Sequence, residues 1–231
     1  MKNLFKFVGI TFLVLTFMGA TNPGLLYKSY TAAIVTKVIQ DVKHKSGDSD
    51  WIPTKVATQL KTNDLLNTGK RSVAVLKFLD GSILRVRENT TIMIFADKKD
   101  KGLIKNTKLD NGKIVFDVQK QSDDDKFIIT TPTAVATVRG TSGLIEALND
   151  GSTLLILETG IVEIESTGDN KQTTSIEAGT TAIVNLDGSI VKTESTEEQK
   201  KAFQNANKTN EKVIQIQTNQ GNFKLYYLDA E

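Results

Sequence analysis

Short runs of alternating apolar and polar residues, separated by turns rich in glycine and aspartate, fill most of this chain. Ser72 to Leu79 places Ala74, Leu76 and Phe78 on one face, the period of two that a half-buried strand shows. Asp80-Gly81-Ser82 then turns the chain. Ile83 to Arg87 returns with Leu84 and Val86 on one face, which puts Arg85 and Arg87 outward as a solvated edge. The same turn recurs at Asp150-Gly151-Ser152 and Asp187-Gly188-Ser189, at spacings too uneven for a strict repeat. Further strands are predicted at Ala32–Val42 (a first strand pair), Thr91–Phe95, Leu154–Leu157, Ile161–Glu165 and Ala182–Val184. Leu109 to Lys113 reads as a turn into a strand at Ile114–Val118, and Ala96 to Gly102 as a charged loop. Trp51, the one tryptophan, reads as a plug of the core at a sheet edge. These elements predict an all-β fold of many short strands: a sandwich, a roll or a solenoid-like stack.

The two ends of the chain differ from this pattern. Lys2 and Lys6 precede an apolar run from Phe7 to Met18, the form of an export signal over residues 1–20, cleaved after Ala20 or retained as an anchor. Residues 21–30 read as a disordered lead-in, and the β domain as residues 31–192. In residues 193–231, Ser195-Thr196-Glu197-Glu198 forms a capping box ahead of one short helix from Gln199 to about Lys212. Val213–Ile216 and Phe223–Leu228 then form a strand pair joined through Asn219 to Asn222. This tail docks on the β domain or sits beside it.

One stretch stands out, Thr130-Thr131-Pro132-Thr133-Ala134-Val135-Ala136-Thr137-Val138-Arg139-Gly140-Thr141. Pro132 fixes its own φ and pushes Thr131 towards extended backbone. Ala134, Ala136 and Val138 then face one way, and Val135, Thr137 and Arg139 the other. The order Thr-Pro-Thr-Ala followed by Val-Arg-Gly-Thr resembles the signature of the FecR domain, the extracytoplasmic part of FecR-type iron-signalling proteins. Asp64, Thr68, Gly69, Asp80, Gly81 and Ser82 stand where that pattern expects them. Asn63 replaces the usual glycine and still tolerates a positive φ. The resemblance spans Thr31 to Lys192.

Charge and composition narrow the function. Removing residues 1–20 leaves 27 basic against 27 acidic side chains, from 29 and 27 in the full chain. That balance argues against the basic footprint of a nucleic-acid binder and against a polybasic membrane contact. The chain has no cysteine and one histidine, His44, so thiol nucleophiles, His-rich metal sites and a disulfide framework are excluded. Asp123, Asp124 and Asp125 lack the alternation of a calcium loop and read as a solvated charge run. There is no phosphate loop and no dinucleotide fingerprint. No cofactor, metal or catalytic residue is expected.

The resemblance implies a module that senses an outer-membrane transporter and relays the signal to a cytoplasmic sigma factor. Few residues precede the apolar run, so the expectation is a stand-alone domain without the sigma-contacting part, exported to the periplasm or cell surface. The leading reading is a non-enzymatic module that binds another protein of the envelope. A self-assembling structural protein and a hydrolase with an unrecognised carboxylate pair stand as alternatives. The candidate residues are those of the motif: Asp80, Gly81, Pro132, Arg139, Gly140 and Thr141. Arg139 has two readings, a structural partner at a strand end or a recognition point for an anion or a partner's strand.

Overall fold

A computed structural model describes residues 31–98, 102–208, 211–218 and 221–228. The expected export signal, the lead-in and part of the 219–222 turn lie outside the described residues. The strands of the first half are β1 (Thr31–Ile39), β2 (Val42–Ser46), β3 (Ile52–Pro53), β4 (Gln59–Lys61), β5 (Asp64–Thr68), β6 (Val73–Phe78), β7 (Ile83–Val86), β8 (Thr90–Lys98) and β9 (Leu103–Val118). There follow β10 (Lys126–Thr130), β11 (Ala134–Val138), β12 (Thr141–Ala147), β13 (Thr153–Thr159), β14 (Ile161–Ser166), β15 (Thr173–Glu177), β16 (Thr180–Val184) and β17 (Ile190–Glu194). A helix α1 (Glu197–Asn207) and a separate hairpin of β18 (Glu211–Thr218) and β19 (Gly221–Leu228) complete the described chain.

Seventeen strands form one hydrogen-bonded system that is not closed into a barrel. It folds into two facing layers. The first runs β4-β1-β6-β7-β9-β12-β13-β16-β17. The second runs β3-β2-β5-β8-β9-β10-β11-β14-β15. β9 belongs to both. Its first part pairs with β8 and β10, and its last part with β7 and β12. The expected sandwich is therefore present, made of hairpins laid alternately on one layer and the other.

The turn predicted at Leu109–Lys113 is instead the bend at which β9 changes layers. Asn111-Gly112 has the composition of a hairpin turn, but Gly112 adopts φ +92 beside Asn89 and Thr90, and the strand continues past it. Charged sequence likewise hid the length of β8, which carries on to Lys98, into the start of the predicted loop.

Alternation decides which side chains meet. Ala74, Leu76 and Phe78 from β6 and Leu84 and Val86 from β7 face Leu66, Ile92 and Phe127 of the other layer in one core. Phe78 and Phe127 meet edge to face at 4.9 Å between ring centroids. A smaller cluster forms on the outer surface of the first layer, where Val115, Leu144 and Ile156 are covered by Phe203 and Ala206 of α1. That helix begins two residues earlier than predicted, at Glu197, and ends earlier too, at Asn207. Thr196 caps it, accepting from the Gln199 N–H at 3.2 Å while Gln199 Oε1 accepts from the Thr196 N–H at 2.8 Å. Ser195 is buried and bonded to Thr181 at 2.9 Å, so it is not available as the cap.

Two expectations fail at the surface. Trp51 is 40 % exposed, with Lys45 Nζ 5.4 Å from its ring centroid, and fills no core position. Pro53 in the two-residue β3 leaves this edge too short to bring the ring inside. Arg85 and Arg87 are half-buried rather than solvated.

Candidate functional site

The three Asp-Gly-Ser turns have one geometry. All connect hairpins of the first layer, with Gly81, Gly151 and Gly188 at φ +86, +86 and +85. Each aspartate accepts from the serine N–H two residues on, at 3.0, 2.9 and 2.9 Å. A left-handed glycine closes such a loop without a Cβ penalty, and the aspartate satisfies the turn's free donor.

Asp80 does more than its two counterparts. Lys105 reaches inward from β9 with its side chain only 2 % exposed, and its Nζ donates to Asp80 Oδ2 at 2.7 Å. Gln121 bridges the pair, donating to Asp80 Oδ2 at 2.9 Å and accepting from Lys105 Nζ at 2.8 Å. Burial alone would raise the Asp80 pKa. Hydrogen bonds from Lys105, Gln121 and Ser82 outweigh it and hold the carboxyl below its ordinary range. Nothing in the sequence signalled this network, because Lys105 lies in an otherwise ordinary alternating strand.

The segment 119–125 crosses this end of the sandwich and brings the motif residues together. Gly81 lies under Gln119, and Gly140 against the Lys120 backbone. Gly140 and Thr141 form the crossing from the second layer back to the first, and Thr141 is buried. Gly160 (φ +80) forms the next crossing and leaves no room for a Cβ beside Thr141. Thus Asp80, Gly81, Arg139, Gly140 and Thr141 share one end.

Pro132 stands at the opposite end, in the turn between β10 and β11. The threonines beside it are buried and tie the layers together. Thr131 and Thr133 hydroxyls meet that of Thr153 at 2.7 and 2.6 Å, and the Thr131 N–H donates to the Ala134 carbonyl at 2.8 Å. Ala134, Ala136 and Val138 face inward, as the alternation predicts.

Pro132, Arg139 and Gly140 are exposed, and of these three Arg139 alone carries a charged side chain. Its side chain is 51 % exposed and donates from Nη2 to Asp123 Oδ1 at 2.8 Å, on a carboxylate that is 92 % exposed. Such a pair contributes about 0.2–1 kcal/mol. Asp125 caps the Leu103 N–H at 2.7 Å. Among the described residues no group of three His, Cys, Asp or Glu is placed to hold a metal ion.

The family described as FecR protein matches residues 64–163, from the first turn of the motif through the crossing at Gly160. Two crystal structures of a "putative anti-sigma factor" from Parabacteroides distasonis ATCC 8503, at 1.65 and 2.50 Å resolution, share the fold, each with TM-score 0.51 and 19 % identity. The likeness covers 61 % of this chain and 64 % and 63 % of those, so the chain spans less than two thirds of their length. No curated protein matches the chain. The hairpins that seat Asp80 and the strand that carries Thr-Pro-Thr-Ala and Arg-Gly-Thr are the matched region, so residues 64–163 are the part of the chain that matches the FecR protein family.

Proposed function

We propose that this protein is an exported, non-enzymatic binding module whose contact with another envelope protein is centred on Arg139. One observation carries the reading. The other motif residues are spent on turns, crossings and a buried network, whereas Arg139 spends one hydrogen bond on a fully solvated carboxylate. A guanidinium held this loosely can exchange its partner for a carboxylate on another protein at little cost, and arginine is favoured at such contacts. The family supports a signalling-related role for the module. Among the described residues no helix is long and apolar enough to cross a membrane.

The alternatives receive less support. At the β17 edge, Lys192 reaches across to Thr174 Oγ1 at 3.0 Å, and the Ile190 N–H donates to Gln172 Oε1 at 3.1 Å. An edge guarded by an inward-reaching lysine disfavours growth by strand addition. A hydrolase of the carboxylate class would need two free carboxylates facing each other in a cleft. In the cleft lined by Glu88, Glu146 and α1 residues Ala202 and Ala206, both carboxylates are engaged: Glu88 accepts from the Arg71 N–H at 2.6 Å and Glu146 pairs with Lys113 at 3.0 Å.

The test is retention of envelope proteins on the immobilised full chain, with Arg139→Ala alongside. The variant is expected to melt within about 4 °C of the wild type, because an exposed pair contributes so little. The proposal expects one protein held by the wild type and lost from the variant. Equal retention by both would return Arg139 to a structural role.

A further inference from the structure

The second layer carries apolar side chains on both of its faces. Its inward set lies in the core, yet Leu65, Met93, Phe95, Ile104, Ile128 and Val135 point outward and stay partly exposed. Strand register joins them into one band. Leu65 pairs with Met93, Phe95 follows two residues on, and Ile104, Ile128 and Val135 continue it diagonally across β9, β10 and β11. The unbroken run Ile92-Met93-Ile94-Phe95-Ala96 is the composition of a strand covered on both sides. In the first layer α1 supplies such a cover, and β19 touches β1 of that same layer. Neither packs on β5, β8, β10 or β11.

Charge says what fits the band. Lys45 stands beside Leu65 at one end, with Lys43 next to it on β2. Glu165 stands beside Val135 at the other end, with Glu163 next to it on β14. Lys43 and Glu165 pair with Asp41 at 3.4 Å and Lys171 at 3.7 Å, solvated contacts that exchange at little cost. A face that is basic at one end, apolar in the middle and acidic at the other is complementary to itself. Turning a second copy about a two-fold axis along β9, the middle strand of the layer, sets Lys45 over Glu165, Leu65 over Val135 and Phe95 over Ile128. Lys108 meets its own counterpart on that axis, and Asp110 at 2.9 Å balances it. The eight strands from β2 to β15 lie ~4.8 Å apart and run for about five residues. They offer roughly 600 Å² per copy, and roughly 1,200 Å² for two copies is the lower end for a specific interface.

We propose that two copies of this chain pair face to face through the outer surface of the second layer. Two-fold symmetry closes the pair, so it needs none of the strand addition disfavoured at the β17 edge. It rests on the band and its flanking charges, not on the Arg139 reading. Sedimentation equilibrium of the purified full chain should show monomer and dimer with no larger species. Ile128→Lys should weaken pairing at least about tenfold, by placing a charge in the apolar centre. Two double variants test the ends: Lys43→Glu with Lys45→Glu, and Glu163→Lys with Glu165→Lys. Each sets like charges opposite one another and should be monomeric where the wild type is dimeric. Mixed in equal amounts, the two should form a mixed dimer, a rescue that no folding defect would allow. A wild type that stays monomeric at high micromolar concentration would overturn the proposal. So would a ladder of larger species, or charge variants that pair as well as the wild type or stay monomeric when mixed. In cross-linking, a product of two chains is the pair itself, and its mass separates it from the partner adduct sought at Arg139.

Discussion

Gly160→Ala should destabilise the protein by about 2–4 kcal/mol. The glycine sits at φ +80, where a side chain costs about 1 kcal/mol or more. A Cβ there would also come within 2.4 Å of Thr141 Cγ2 and 2.8 Å of the Gly140 carbonyl oxygen, and overpacking of this kind costs about 1–3 kcal/mol. Neither neighbour can yield easily, because Thr141 is buried and Gly140 is the backbone of the adjacent crossing. Gly179 supplies the control. It forms the next crossing at the same end with φ +78, yet nothing lies within 4 Å of its would-be Cβ. Gly179→Ala should therefore cost only the backbone part, about 1 kcal/mol. Urea unfolding of both variants checks the difference, and equal costs would show that the two crossings do not pack as described.

The second large effect is expected at Asp80. Asp80→Ala leaves the buried Lys105 ammonium with Gln121 alone, and stripping one partner from a buried pair costs about 3–5 kcal/mol. Asp150→Ala and Asp187→Ala remove the same turn contacts with no buried lysine behind them, and should cost less. Adding Lys105→Met to Asp80→Ala should recover much of the loss, whereas additive effects in a double-mutant cycle would deny the coupling. The pair also predicts a pH dependence. The folded-state pKa of Asp80 lies below its ordinary value of 3.8, so its contribution is complete above that value and is lost as pH falls below it. Asp125, Asp150 and Asp187 are held low as well. The readout is therefore the difference between wild type and Asp80→Asn, which should shrink as pH drops below about 4. A difference that stays constant down to acid unfolding would contradict the assignment.

The layered fold was legible because each local signal agreed with its neighbours. Period-two alternation placed Ala74, Leu76, Phe78, Leu84 and Val86 in the core, and the Asp-Gly-Ser turns placed the hairpins. The errors arose where distant packing overrode local composition. Asn111-Gly112 has hairpin chemistry, yet the approach of Asn89 and Thr90 makes it a bend within one strand. Arg87 alternates outward as an edge residue would, but α1 and the crossings around the cleft half-bury it. The motif residues were found by resemblance, while their division of labour was not. Lys105 and Gln121 lie 25 and 41 residues from Asp80, and no periodicity connects them.

That division of labour is central: the other motif residues build the sandwich, and we propose that Arg139 faces a partner. Site-specific photo-crosslinking in intact cells tests it most directly, with the crosslinker placed at Arg139 in one full-length version and at Lys171 in another. Lys171 is also exposed but belongs to the β14–β15 turn at the opposite end. The account predicts a discrete protein adduct from position 139 and none from 171. The same adduct from both positions, or none from 139, would contradict it.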